Sequence, residues 1–234
     1  LFLKGEIDIL PFFNANEERL FSKLGYRIKK QEQNTTWLLA LNNQKAPFND
    51  MKFRKALLYG IDQNKYIELF GNKNAIANSY LPYGIIGSLP PTINSRYDLK
   101  LAKKYLNLSS YRGKKIIIEL PKGIYNIQFQ KKYFEEQLSN LGINAEVRIQ
   151  EFTTLWANQI VTKNFDAYLL YIVSSYPDPD GFLDAYFRSN RVFNISNYQN
   201  NVMDQLIIQG RESISNLERV KIYRNIESKL KNEA

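Results

Sequence analysis

The chain has 234 residues, a formal net charge of +9, 44% hydrophobic and 14% aromatic residues, and neither cysteine nor histidine. That apolar content suffices for a sizeable core and excludes general disorder, while the missing Cys and His exclude thiol nucleophiles, disulfides, and zinc or haem sites built on those residues, and remove the commonest general base. No apolar run reaches the 18 or so residues of a membrane span, and the basic residues fall in scattered pairs such as Lys29-Lys30, Lys103-Lys104, Lys114-Lys115 and Lys131-Lys132, so the positive charge reads as a solvated surface and no nucleic-acid partner is expected.

Leu1 to Leu10 predicts a short helix end or turn leading to a strand, with Gly5-Glu6-Ile7-Asp8 at the corner. This start has no initiator Met, basic n-region, long apolar region or cleavage site; it is not a signal peptide, and the chain reads as a piece of something longer. Asn14 or Asn16 then caps a short helix to Leu24, closed by Gly25. Tyr26 to Gln33 alternates weakly, and Thr35 to Leu41 is a stronger strand. A turn over residues 42–48 leads to a helix capped by Asn49 or Asp50, with Phe53, Ala56, Leu57, Gly60 and Ile61 on one face. A second helix runs from about Gln63 to Phe70 and stops at Gly71. Residues 72–97 carry turn signals (Leu81-Pro82-Tyr83-Gly84, Leu89-Pro90-Pro91) and predict a long ordered loop. Asp98 caps a helix to Leu106.

From there strand and helix alternate. Lys115 to Leu120 is a strand, and Tyr125 to Leu141 a helix with Phe129, Tyr133, Phe134 and Leu138 inward, closed by Gly142. Ala145 to Ile149 is a strand with Val147 and Ile149 inward, and Phe152 to Thr162 a helix. Ala167 to Val173 is a continuous apolar run, the pattern of a strand covered on both faces. Pro177 and Pro179 forbid regular structure just after it, and Asp178 or Asp180 caps a helix carrying Phe182, Leu183, Ala185, Tyr186 and Phe187. Helices from Val202 to Gly210 and from Asn216 to Lys231 end the chain. Alternation of this kind means α/β with crossover helices. Ligands of open α/β sheets bind outside the carboxyl ends of the strands, so Tyr171 to Asp178 is expected to line the site.

Other conspicuous residues have plainer readings. Asn42 and Asn43 end a strand where their side chains can satisfy turn backbone. Arg54 and Asp62 read as stabilising, paired with each other or bonded to backbone. Trp37 and Trp156 read as core. Glu135-Glu136 and Asp178-Asp180 are paired carboxylates, but helix neighbours point apart and turn aspartates cap, so no catalytic residues are assigned.

Five landmarks stand in one order along the chain: Gly5-Glu6-Ile7-Asp8; Leu41-Asn42-Asn43-Gln44-Lys45-Ala46-Pro47-Phe48-Asn49-Asp50 with Phe53-Arg54-Lys55-Ala56-Leu57 and Gly60-Ile61-Asp62; Tyr97-Asp98 with Ala102-Lys103-Lys104-Tyr105-Leu106; Leu141-Gly142-Ile143; and Phe165-Asp166 through Tyr176-Pro177-Asp178-Pro179. They resemble the C-terminal part of the family 5 extracellular solute-binding proteins, the oligopeptide-, dipeptide- and nickel-binding components of ABC importers. The resemblance implies a lobe of the type II periplasmic-binding-protein class, a mixed sheet flanked by helices. Residues 1 to about 36 would be a remnant of the first lobe with its hinge strand, and 37–234 the second lobe, incomplete at its C-terminal end. It implies a monomeric, periplasmic or membrane-anchored extracellular receptor, without cofactor or metal and without enzymatic activity. Its partners would be a peptide-like or other small solute, held between two lobes, and an ABC permease. The alternative is a sensor or regulatory domain that reuses the fold without transport. The implied ligand-binding set is Tyr171, Ile172, Val173, Ser174, Ser175, Tyr176, Asp178 and Asn42. Ser175 departs from the peptide-binding members, which carry an acid there to grip the ligand's α-amino group, and Ile172 stands where a Trp is common. A hydroxyl makes a weaker bond to an ammonium than a carboxylate does, so reliance on a free α-amine is not expected. Asp178 is then the alternative anchor.

Overall fold

The computed structural model describes residues 1–11, 15–29, 34–70, 76–124, 126–157 and 162–233. The chain divides into two compact units, Leu1–Gln33 and Asn34–Ala234. The smaller opens with a 3-10 turn, Phe2–Lys4, ended by Gly5 in the left-handed region. Helix α1, Ala15–Lys23, follows, and Gly25 (φ 78°) turns the chain after it. Phe2, Phe21 and Tyr26 meet edge-on or tilted, with centroids 4.9–6.0 Å apart, and supply this unit's apolar centre. The strand expected before Leu10 is absent: residues 7–11 form no ladder. Of the two expected caps, Asn16 falls inside α1 and cannot cap it, while Asn14 and the weak alternation at 30–33 lie outside what is described.

The larger unit is built on a four-stranded sheet in the order β1-β4-β2-β3, with β1 Thr35–Leu41, β2 Ile116–Pro121, β3 Ala145–Gln150 and β4 Ala167–Val173. β4 pairs antiparallel with β1 and parallel with β2, and β2 pairs parallel with β3. The sheet is therefore mixed, with crossover connections of the kind parallel neighbours require. Helices α2 (Met51–Gly60), α3 (Gln63–Phe70), α4 (Leu99–Leu108) and α5 (Ile127–Leu141) precede or join the strands. A short α6 (Phe152–Trp156) follows β3, and α7 (Pro179–Phe187), α8 (Asn201–Glu212) and α9 (Asn216–Glu233) follow β4. No helix among the described residues is long and apolar enough to cross a membrane.

The caps act as the sequence suggests. Asp50 accepts the N–H of Lys52, Asp98 that of Leu101, and Asp178 that of Asp180, each satisfying an otherwise orphaned helix donor. Gly142 (φ 79°) ends α5 with a left-handed cap whose N–H reaches Leu138 and Ser139. The two sheet faces build two apolar clusters. One gathers Phe53, Leu57, Ile116, Ile118, Leu120, Phe134, Leu138, Val147, Ala167 and Leu169 under α2, α4 and α5. The other gathers Ala40, Tyr168, Leu170 and Ile172 with Leu81, Phe182, Leu183, Ile207, Tyr223 and Ile226 under α7, α8, α9 and the 76–97 loop. Arg54 is buried and bonds to carbonyls, its Nη1 to Phe48 (2.9 Å) and its Nη2 to Glu233 (2.7 Å), so α2 is tied to the end of α9. Asp62 instead accepts the N–H of Lys65; of the two roles left open for Arg54 and Asp62, bonding to backbone is the one found.

Several expectations change. Phe129 is 67% exposed and not inward, because α5 begins at Ile127 and Phe129 falls on its outer side, whereas Tyr133, Phe134 and Leu138 do face the core. Ile149 is only half-buried beside fully covered Val147, as befits β3 at the edge of the sheet. Tyr125 and residues 158–161, once expected within helices, and Gly71 lie outside the described residues. Trp37 and Trp156 are 45% and 43% exposed and are not core residues.

Candidate functional site

Three strands run parallel, so Pro121, Gln150 and Val173 end at one edge of the sheet, where antiparallel β1 begins at Thr35. β2, β3 and β4 each continue from this edge into a helix, α5, α6 and α7 in turn, and β4 is the one of the three that pairs with β1. Its register with β1 sets Thr35 opposite Val173, Trp37 opposite Tyr171, and Leu39 opposite Leu169. Facing residues share one side of the sheet. Leu39 and Leu169 are covered by the α2/α4/α5 cluster, but Trp37, Tyr171 and Val173 lie beyond it, each about half exposed. The Trp37 and Tyr171 rings sit 5.0 Å apart at 57° and form an open aromatic platform. β4 is thus covered on both faces only over its first half, and the expectation of a fully covered strand is corrected for Tyr171 and Val173.

Backbone geometry adds a second feature. Asn42 donates its N–H to the carbonyl of Asp166, just beyond the Leu41–Ala167 pair. Hydrogen-bonded and non-bonded pairs alternate in an antiparallel ladder, so Tyr171 and Val173 belong to non-bonded pairs and turn their N–H and C=O away from β1. At Val173 those groups meet the Tyr186 hydroxyl, which donates to the carbonyl (3.0 Å) and accepts the N–H (3.3 Å). The β2 ladder reaches only Glu119–Tyr168. Tyr171 therefore presents its main-chain donor and acceptor past the last paired position.

The turn itself is tightly held. Ser174 is half-buried, and its Oγ accepts the N–H of Tyr176. Ser175 is exposed, as is Tyr176, whose hydroxyl donates to Asp180 Oδ2 at 3.1 Å. Burial and then the neighbouring Asp180 carboxylate push the Tyr176 phenol up. Gly181 leaves no room for a side chain: a Cβ there would fall 2.1 Å from Ser174 Oγ and 3.1 Å from the Tyr176 ring. That close approach lets the first turn of α7 lie directly against the strand exit.

Of the predicted set, the structure brings Tyr171, Val173, Ser174, Ser175 and Tyr176 to this edge, buries Ile172 and Asn42, and leaves Asp178 part-exposed but engaged by another side chain. Ile172 is 1% exposed and packs under α7. Asp178 holds Arg219, whose Nη2 lies 2.7 Å from both carboxylate oxygens, while capping α7. Arg219 also donates to the Gly210 carbonyl and the Tyr223 hydroxyl, and the Asp178 carboxylate holds its pKa above the usual arginine value. Asn42 lies at the far end of β1, 3% exposed. Its amide donates to the carbonyls of Lys163 and Phe165, and its oxygen accepts from Gln44 N–H and the Asn197 amide. Sequence reasoning missed Trp37, Tyr186 and Gly181. For Trp37 the signal was present: it is two residues from Thr35 in an alternating strand, on the face that a register with Tyr171 exposes.

A model of bacterial extracellular solute-binding proteins, family 5, middle region, matches residues 1–194. The periplasmic oligopeptide-binding protein OppA of Salmonella typhimurium is 26% identical over 245 residues, covering 97% of this chain and 43% of the relative. The periplasmic murein peptide-binding protein MppA of Escherichia coli is 26% identical over 220 residues, covering 89% of this chain and 40% of the relative. Among solved structures, the periplasmic binding protein DppA of Helicobacter pylori in complex with the peptide STSA superposes with a TM-score of 0.88 at 22% identity, over 99% of this chain and 46% of that one. The chain thus spans less than half the length of these relatives. The mixed α/β sheet flanked by helices is the type II periplasmic-binding-protein arrangement.

Proposed function

Because the chain belongs to the bacterial extracellular solute-binding proteins of family 5, we propose that it forms part of the substrate receptor of an ABC importer, one that takes up a peptide-like solute in the periplasm or at the cell surface and delivers it to a membrane permease without chemistry. The proposal assigns residues 1 to about 36 to a remnant of the first lobe and 37–234 to the second, with the exit of β4 as one wall of the solute site. The observation that carries it is the main chain of Tyr171, left past the end of the β2 ladder beside the Trp37–Tyr171 platform. An extended peptide can add to a strand edge past the end of a ladder through its backbone while its side chains pack on the neighbouring rings. Tyr171, Val173, Ser174, Ser175, Tyr176 and Trp37 are the proposed contacts; Ile172 and Asp178 support them from behind, and Asn42 holds the opposite end of β1.

Calorimetry of the full-length protein against di-, tri- and oligopeptides tests this reading. Trp37→Ala is expected to weaken peptide binding about tenfold, in the range of an interface aromatic, and to leave the melting temperature nearly unchanged because the ring is 45% exposed. Unaltered affinity would remove the platform from the site.

Ser175 decides a finer point. An ammonium drawn into a closed cleft without a carboxylate loses several kcal/mol of hydration, and one hydroxyl returns only about 1 kcal/mol. The wild type is therefore expected to accept N-acetylated and free-amine peptides comparably. Ser175→Asp should shift the preference toward free amines by about 1–3 kcal/mol. A strong wild-type preference for free amines, unchanged in the variant, would place the amine elsewhere.

A further inference from the structure

The opposite edge of the sheet carries a different surface. Lys163 precedes β4 and Ser174 follows it, so the two ends lie roughly 20 Å apart along the strand. Beside Lys163 is a cavity of about 300 Å³, lined also by Arg191, Val192, Asn194, Asn197 and Tyr198. We propose that this cavity is a binding site for a small organic carboxylate, with the Lys163 ammonium as its principal contact.

Three observations carry the assignment. The first is the state of Lys163. Its ammonium donates to the carbonyls of Val192 (3.0 Å) and Asn194 (2.8 Å), and no carboxylate lies within ion-pair distance of it among the described residues. An ammonium has three donors, so one remains for a ligand. Burial pushes its pKa down, the state that a bound anion relieves.

The second is the local charge. Arg188, Arg191 and Arg211 all converge on the single carboxylate of Asp184. With Lys163 these four cations stand against three carboxylates among the described residues of this region: Asp184, Asp204, which accepts the N–H of Ser189, and Glu233, which lies against Tyr198 and accepts from the Asn200 amide. The balance stays positive and favours an anion.

The third is that the wall is already shaped. Asn194 donates to the carbonyls of Arg188 and Tyr198 and accepts from Tyr198 N–H and the Ser196 hydroxyl. The Asn197 amide is held by Asn42. Neither must rearrange to admit a ligand, and preformed pockets bind with less ordering cost. The volume, at the lower end for ligand pockets, has room for about ten water-sized groups. That suits a small mono- or dicarboxylate and not a peptide.

Calorimetric titration of this chain with acetate, succinate and citrate, and with a pentaglutamate peptide, tests the proposal. Saturable binding of at least one small carboxylate is expected. Lys163→Gln should weaken it about tenfold or more, the loss of one charge-assisted bond. Val192→Asp should weaken it as well: Val192 is 63% exposed, so a carboxylate at the rim repels an anion without touching the Lys163 bonds, and circular-dichroism melts check that both variants stay folded. Absence of saturable binding by all three carboxylates, or equal affinity in wild type and both variants, overturns the proposal. Binding of pentaglutamate alone overturns it too, in favour of an acidic segment of a partner protein.

Discussion

Glu227→Ala is expected to destabilise the chain by about 2–4 kcal/mol, read as a lower urea midpoint with unchanged slope. Glu227 is 1% exposed on α9, and its two oxygens accept the N–H groups of Tyr80 and Leu81, each at 2.9 Å. Those donors belong to a loop without regular structure, where no ladder can replace the lost acceptors. Alanine leaves both orphaned in a buried setting, at about 1–3 kcal/mol each, partly offset by removal of a desolvated carboxylate. Burial raises the Glu227 pKa above its ordinary 4.5, against the opposing pull of the Leu81 and Tyr80 N–H groups. A raised folded value means that this group's contribution is complete below the unfolded pKa and is lost as pH climbs through the folded one. Wild-type stability relative to Glu227→Gln should therefore decline as pH rises above 4.5. A difference that stays flat or grows with pH would contradict this account of the carboxylate.

Asp178→Ala is expected to cost about 2–4 kcal/mol and to weaken solute binding together with stability. Loss of the cap contributes about 1 kcal/mol. The rest comes from Arg219, whose remaining hydrogen-bond partners among the described residues are the Gly210 carbonyl and the Tyr223 hydroxyl. The pair is partly open, with side-chain exposures of 15% for Arg219 and 31% for Asp178, so the figure stays below that for breaking a fully buried pair. A double-mutant cycle with Arg219→Ala separates this role from direct ligand contact. Coupling of about 1–3 kcal/mol in stability is expected for two groups in contact. Coupling near zero, with solute affinity still lost, would return Asp178 to the ligand.

Strands and helix ends were legible because their signals are local. Thr35–Leu41 and Ala167–Val173 stand out by composition, and Asp50, Asp98, Gly25 and Gly142 mark boundaries that the backbone obeys. Within the β4 run, however, Tyr168 to Val173 are all apolar, so nothing in the run tells which alternate residues are buried. The register with β1 and the extent of the helical cover decide it, and they bury Ile172 while baring Tyr171. The two tryptophans failed for the same reason: hydrophobicity suggests a core, but the cover ends before Trp37 and does not reach Trp156. Asn42 was readable as a turn residue, yet its partners Lys163, Phe165 and Asn197 lie more than a hundred positions away. Asp178 likewise reads as a cap from its neighbours, whereas Arg219 on α9 becomes visible only in three dimensions.

Tyr223, fully buried on α9, sits where two glycines leave space: a Cβ on Gly87 would fall 2.6 Å from its own Cβ, and one on Gly210 would fall 2.6 Å from its ring. Its hydroxyl accepts from Arg219, which grips Asp178 at the mouth of α7. One phenol ring thereby pins the Gly87 loop, α8 and α9, and reaches the start of α7 through a single guanidinium. None of these segments can swing out while the ring stays seated. Their amide protons should therefore exchange with solvent through one shared opening event and not through separate fraying motions.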